Sequence, residues 1–446
     1  MSLSQGQVQG SCTQKPIPQH LPLNRPRPNL DSLPAEILGQ IASEVRPATE
    51  LAELRLINRH VSKSFTYEWA KRTFEQVETD LSSKSLERLD IISTNPDFAV
   101  HVKHIKVAWH QSEEIDVDRG QVFGSRLRWR RDSSGGLVFP QPTAQRWEDV
   151  FARFTNCVSF SIERPFDSQG YADLDGEYWE PRGLLLMDLH MFMMNMFSSG
   201  RVVVEKYEVD WRTDKSGYDD AEPFDINAPG VNTAHLRNPS FAAAWGNIRS
   251  LDLHLGDVTP GGGQYIVELL NLAPKLESLT LDIEESEDGK EAAVILESLG
   301  SADCPFQLKS LRVEEARLAG SEDDLHMALA RHRSTLTSME LVSIHLGADG
   351  IRSLFDFFFF YKLPVLSEFL LNNVQDWEEV GSSREPRLLI FPQLHTELSG
   401  HRLFEQNLDD HSYVDPCRMF YYFGPKGSEA LTFLSREYHF GASGSV

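Results

Sequence analysis

The sequence is poor in cysteine, in positive charge and in long apolar runs, and each shortage excludes something. Its four cysteines, Cys12, Cys157, Cys304 and Cys417, lie far apart in 446 residues. No pair has zinc-knuckle spacing, and so sparse a set does not make a secreted disulfide scaffold. Lys and Arg number 43 against 66 Asp and Glu, a formal net charge of -23. That balance argues against general nucleic-acid binding, which needs basic surface to neutralise phosphate, and favours a basic partner. The longest apolar stretches are residues 183–197, broken by Asp188 and His190, and residues 357–361. Both are too short or too interrupted for a bilayer. The N-terminus lacks the basic-then-apolar order of a signal peptide. The expectation is a soluble chain of the cytoplasm or nucleus, with no membrane partner.

Familiar catalytic arrangements are missing too. The glycine-rich run at 257–263 has no lysine in the phosphate-loop position, and no Gly-x-Ser-x-Gly elbow occurs. His101 and His104 are three apart, which in a strand puts them on opposite faces. The acidic run at 284–288 lacks calcium-loop spacing. These absences lead to the expectation of a chain that is not an enzyme and holds no metal or cofactor. Arg126, Arg128, Arg130 and Arg131 with Trp129 are read as a loop that pairs with its own protein. The methionines at 187, 191, 193, 194 and 196, with Phe192 and Phe197, make a helix apolar over most of its circumference, hence core.

What is present begins at residue 29. Residues 1–28, rich in Gln, Ser and Pro, read as a disordered leader. Then Leu33, Ile37, Leu38, Ile41 and Val45 recur on one helical face, with Pro34 and Glu36 suited to a first helical turn. Pro47 stops that helix and Thr49 is a candidate cap for the next, which carries Leu51, Leu54, Ile57 and Val61. A third short helix carries Phe65 and Trp69. Three helices in about forty residues have too little interior to bury all this apolar surface. An ordinary helical hairpin leading into a larger domain is the plain alternative. The order Leu33-Pro34, Glu36-Ile37-Leu38, Ile41, Leu51, 54-LRLINR-59 and Phe65 resembles an F-box of the kind common in fungal proteins. It departs from the family at Val45-Arg46-Pro47, where a leucine is usual. The resemblance implies docking on a Skp-type adaptor, and through it on a cullin, by Leu33, Pro34, Ile37, Leu38, Ile41, Leu51, Leu54 and Ile57.

Behind this segment a strand at 73–81 and a helix opened by Ser83 lead into a recurring template, apolar-x-x-apolar-x-apolar. It fits Val102/Ile105/Val107, Cys157/Phe160/Ile162, Val204/Tyr207/Val209 and Ile248/Leu251/Leu253. It continues through Leu276/Leu279/Leu281, Leu308/Leu311/Val313, Leu336/Met339/Leu341 and Leu366/Phe369/Leu371. From Leu251 the period is 28 residues to Leu279, 32 to Leu311, 28 to Met339 and 30 to Phe369. Helical patterns at 265–272, 291–299, 325–330 and 351–360 fall between the strands. A period near thirty with one strand per unit resembles a degenerate leucine-rich repeat. The usual asparagine is replaced by Gly256, Glu284, Ala316, Ile344 and Val374, so the turns must be satisfied otherwise. An irregular α/β domain without true repeats is the alternative. Insertions at 111–143, 163–183 and 212–239 read as loops on one rim.

The expected fold class is α/β: an F-box at 29–75, then an irregular repeat solenoid of parallel strands with helices outside at 76–376. A cap and tail follow at 377–446, with Phe391, Leu394, Leu398 and Leu403 as a helix or capping piece and Tyr421–Phe423 as a strand. The resemblance implies a substrate-recognition subunit of a Skp–cullin–F-box ubiquitin ligase, in which the repeats hold a protein target. Side chains between the strand leucines would face that target: Asp252, His254, Thr280, Asp282, Arg312, Glu314 and Glu340. Two other readings stay open: an F-box scaffold working outside a ligase, and an enzyme in the irregular middle.

Overall fold

The computed structural model describes residues 30–108, 129–130, 132, 137–163, 186–210, 224–227, 231–255, 258–283, 290–318, 320–347, 349–380, 383–388, 402–407, 418–424 and 426–437. The chain divides into two compact units, the first ending at Trp69 and the second starting at Ala70. The division falls inside a helix, a few residues before the boundary expected at 75.

The first unit contains α1 (Ala35–Glu44), α2 (Ala48–Leu54) and the first part of α3 (Arg59–Phe74). Pro34 and Pro47 sit at the N-caps of α1 and α2, so Thr49 is inside the first turn and does not cap it. The third helix is long, 16 residues. Asn58 starts it by accepting the Val61 N–H on its side-chain oxygen at 2.9 Å. Leu38, Ala42, Leu51, Val61 and Phe65 form a closed small core, with Leu33, Ile41, Val45, Leu54 and Trp69 packed around it.

The second unit is α/β, built on a mostly parallel sheet. Its strands are β1 (Gln76–Thr79), β2 (His104–Ala108), β3 (Ser159–Glu163), β4 (Lys206–Asp210), β5 (Ser250–His254), β6 (Ser278–Asp282), β7 (Ser310–Glu314) and β8 (Ser338–Val342). The short β9 (His345–Leu346) and then β10 (Glu368–Asn372) follow. In the main sheet β1 to β8 and β10 lie side by side in chain order, each parallel to the next. The helices are α4 (Ser83–Thr94), α5 (Pro96–Ala99), α6 (Pro142–Phe151), α7 (Leu186–Ser198), α8 (Pro239–Trp245), α9 (Gly262–Asn271), α10 (Lys290–Gly300), α11 (Glu322–His332), α12 (Gly350–Tyr361) and α13 (Gly427–Glu437). When neighbours in sequence are neighbours in the sheet, crossovers of one hand collect the helices on one face. Helices α9 to α13 accordingly pack one against the next in series.

Every residue of the apolar template is buried and belongs to the single core between sheet and helices. The first template position lies in the turn before each strand, and the other two point at the helices. The turns are satisfied without an asparagine ladder. Just before each strand a carbonyl accepts two N–H bonds from the following unit. Arg249 O takes Glu277 N and Ser278 N at 2.9 Å each; Glu277 O takes Lys309 N at 2.7 Å and Ser310 N at 3.1 Å. The same pairing joins Glu75 to Lys103 and His104, and Thr337 to Ser367 and Glu368. Past the strands, Glu315, Ser343 and Asn373 adopt φ of 53° at equivalent positions. Ala316, Ile344 and Val374 then bury apolar side chains where the asparagine would stand.

Some expectations are corrected. The strand expected at 73–81 is shorter, because α3 runs through Phe74. Leu403 lies in a strand, β13 (Arg402–Asn407), and not in a helix. Phe391, Leu394 and Leu398 lie outside the described residues, as do residues 1–28, Arg126, Arg128, Arg131 and the run at 284–288. Tyr421–Phe423 does form a strand, β14 (Arg418–Phe423), antiparallel to both β10 and β13, so the parallel series ends there. Strands β11 (Gln375–Val380) and β12 (Ser383–Leu388) join β9 in a small second sheet. The insertions are more than rim loops: Trp129 and Phe224 are buried in the core, Trp129 edge-on to Phe192 at 5.6 Å. The methionine-rich α7 is core as expected. Among the described residues no helix is long and apolar enough to cross a membrane.

Candidate functional site

Side chains alternate across a strand, so the residues between the core leucines stand on the face away from the helices. Parallel register then aligns them from unit to unit. One row reads Glu78, Lys106, Ser161, Glu208, Asp252, Thr280, Arg312, Glu340. The next reads Ala108, Glu163, Asp210, His254, Asp282, Glu314, Val342. All seven residues expected to face a target lie in these two rows. Neighbouring strands are about 4.8 Å apart, so the charged side chains of a row meet.

His254 is the centre of the densest meeting. Its Nδ1 lies 3.0 Å from Asp282 Oδ2 and 3.7 Å from Glu314 Oε2, and its Nε2 lies 2.8 Å from Asp252 Oδ1. The last contact is close enough for an ion pair but is not aligned as a hydrogen bond. Arg312 donates to Glu314 Oε1 and, at 2.6 Å, to Glu340 Oε2, which turns Glu314 Oε2 toward His254. His254, Asp282 and Glu314 are buried despite their polarity. Among the described residues, this trio brings one donor atom each within 4.8 Å of the others. The expectation of no metal-ligating set rested on sequence-local spacing, which cannot see a group drawn from three strands. The available signal was the shared template position, one past the last core residue of each unit.

At the start of β2, His104 places Nδ1 2.8 Å from Ser159 Oγ and Nε2 3.0 Å from Ser161 Oγ. Burial pushes its pKa below the ordinary histidine value. His101 lies before the strand and is buried. On the helix side, His190 sits between the Tyr207 and Tyr265 hydroxyls, 2.9 Å from each, and His235 Nε2 lies 3.0 Å from the Tyr265 hydroxyl. Burial drives the His190 pKa down to about 3 and raises both tyrosines. This chain of rings is a satisfied buried polar network. In the described part of the glycine-rich run, Gly261 and Gly263 donate their N–H groups to the Glu291 carboxylate at 3.2 and 2.7 Å, at the start of α9.

In the helical unit the eight expected docking residues divide. Leu38 and Leu51 are fully buried in the unit's own core, and Leu33, Ile41 and Leu54 are half-buried against it. Pro34, Ile37 and Ile57 are exposed, Ile37 by 40% and Ile57 by 53%. Leu56, which the helical pattern did not select, is 85% exposed. It lies in the turn after α2, where the helical period no longer applies. A shallow hollow runs along α1, lined by Ile37, Gln40, Ile41, Glu44 and Val45.

No family model matches the chain, and no curated protein matches it.

Proposed function

We propose that the chain is the substrate-recognition subunit of a Skp–cullin–F-box ubiquitin ligase, working in the cytoplasm or nucleus. The observation that carries the reading is a helical unit whose core is already closed, yet which leaves Ile37, Leu56 and Ile57 in water. Fully burying an isoleucine or leucine side chain is worth about 1.5–3 kcal/mol. Ile37, which lines the hollow on α1, and the exposed Leu56 and Ile57 suit helix-in-groove docking on an adaptor. The F-box resemblance names that adaptor as Skp-type, with the cullin reached through it.

In this reading the chain breaks and makes no bonds. It raises the local concentration of a target near a ubiquitin-loaded enzyme, a proximity effect. The target faces the charged rows of β5 to β8, where Asp252, Asp282, Glu314 and Glu340 outnumber Arg312. Such a face attracts a basic protein segment. Co-purification of the full chain with adaptor and cullin tests the assignment. Adaptor and cullin together support the ligase, adaptor without cullin supports a scaffold outside it, and capture of neither overturns the proposal.

A further inference from the structure

Three acidic or imidazole side chains, one from each of three successive strands, converge on a point of the sheet's face opposite the described helices. His254, Asp282 and Glu314 are direct register partners, and only 3–5% of each residue is exposed. Buried ionised carboxylates need compensation, because transferring an unpaired charge out of water is expensive. Arg312 holds Glu314 Oε1 and Glu340, but Asp282 Oδ1 is buried with no hydrogen-bond partner, and so is Asp252 Oδ1.

We propose that His254 Nδ1, Asp282 and Glu314 Oε2 bind one divalent cation of the zinc type. Zinc bonds to nitrogen and oxygen are about 2.0–2.2 Å, which in a tetrahedron puts donor atoms roughly 3.3–3.5 Å apart. The distances from Nδ1, 3.0 Å to Asp282 Oδ2 and 3.7 Å to Glu314 Oε2, bracket that spacing. One imidazole with two carboxylates selects a borderline transition ion over magnesium or calcium, which prefer all-oxygen shells. Arg312 fixes the Glu314 carboxylate from outside, as supporting residues do around metal ligands. Three protein ligands leave a fourth position for water or for a side chain of whatever meets this face. The competing account is that His254 is itself the counter-ion, as an imidazolium between Asp252 and Asp282. The proposal does not rest on the ligase reading, and zinc uptake is measured without an adaptor.

The test is calorimetric titration of the chelator-treated full chain with zinc, and with magnesium as control, on the wild type and on Asp282→Asn. The expected result is one zinc per chain, no magnesium uptake at the same concentration, and at least a tenfold weaker zinc affinity in the variant. With chelator present, Asp282→Asn is expected to melt no lower than the wild type, because it removes a buried charge. Should that variant not fold, Glu314→Gln takes its place. Cobalt(II) added to the wild type is expected to give the visible absorption of a tetrahedral nitrogen–oxygen site, which needs no variant. Absence of zinc uptake, equal uptake by wild type and variant, or cobalt without a tetrahedral spectrum overturns the site.

Discussion

His254 Nδ1 and Asp282 Oδ2 lie 3.0 Å apart although 28 residues separate them in the chain. The contact follows from repeat length. One unit of strand, turn and helix uses 28 residues to return to the neighbouring strand in register, so equal template positions become neighbours. The same rule places Arg312 beside Glu340 and Lys309 beside Glu277. Chemistry on this sheet is therefore written in columns, one residue per unit.

The Arg312 column gives a first prediction. Its guanidinium is the cation that joins Glu314 to Glu340, and Glu314 is buried. Removing the arginine takes one charged donor away from a buried carboxylate. Arg312 is itself partly exposed, which lessens the effect. Arg312→Leu is expected to cost about 1–3 kcal/mol, read as a lower urea midpoint. The double variant Arg312→Leu, Glu314→Gln is expected to recover part of that loss. An additive double variant would show that the pair is not coupled.

A second prediction concerns the start of α9. A Cβ on Gly263 would lie 2.7 Å from the Glu291 carbonyl oxygen and 2.8 Å from its carboxylate. Gly263→Ala is expected to destabilise the chain by about 1–3 kcal/mol through overpacking. Glu291→Ala, which leaves two helix-start N–H groups without an acceptor, is expected to cost about 0.5–2 kcal/mol. Thermal unfolding of the two variants checks both, and the larger loss is expected for Gly263→Ala.

A third prediction is acid sensitivity. Burial is the main cause that lowers His190 to about 3 and His332 to about 4; His332 Nδ1 also accepts the Leu308 N–H, a bond lost on protonation. An unfolded histidine titrates near 6.5. Both groups are thus neutral in the folded chain while the unfolded chain takes up protons. Stability is full above pH 6.5 and falls as the pH drops toward 4, by at most about 1.4 kcal/mol per pH unit for each histidine. Urea midpoints at pH 7.5, 6 and 5 in the wild type and in His332→Asn check this, with a shallower pH slope expected for the variant.

Much of this was legible in the sequence, for identifiable reasons. The template residues from Val102 to Leu371 are all buried where the period puts them, because a parallel sheet covered on one face needs two inward residues per strand. The two aligned rows of residues between them followed from the same alternation. What could not be read was which of the aligned polar residues touch. The trio of His254, Asp282 and Glu314 depends on register and on Arg312 turning one carboxylate. Trp129 was legible as part of a basic loop that pairs with its own protein, but the packing of its ring against Phe192 was not. In the helical unit, periodicity marked an apolar face without saying how much of it the unit consumes. Leu38 and Leu51 go inside, and Leu56, outside the helical period, stays in water.

That division decides how adaptor docking is measured. Leu38→Ala would test the fold of the unit, since core leucine truncations cost about 2–5 kcal/mol. Ile57→Asp and Leu56→Asp change side chains already in water and leave the core of Leu38, Leu51, Val61 and Phe65 intact. The measurement is the dissociation constant for a purified Skp-type adaptor, by calorimetry, for the wild type and for the double variant Leu56→Asp, Ile57→Asp, with melting curves recorded alongside. Tight binding by the wild type and at least a hundredfold loss in the variant, at an unchanged melting temperature, is the predicted result. Equal affinity of the two proteins, or no adaptor binding by the wild type, would contradict the account.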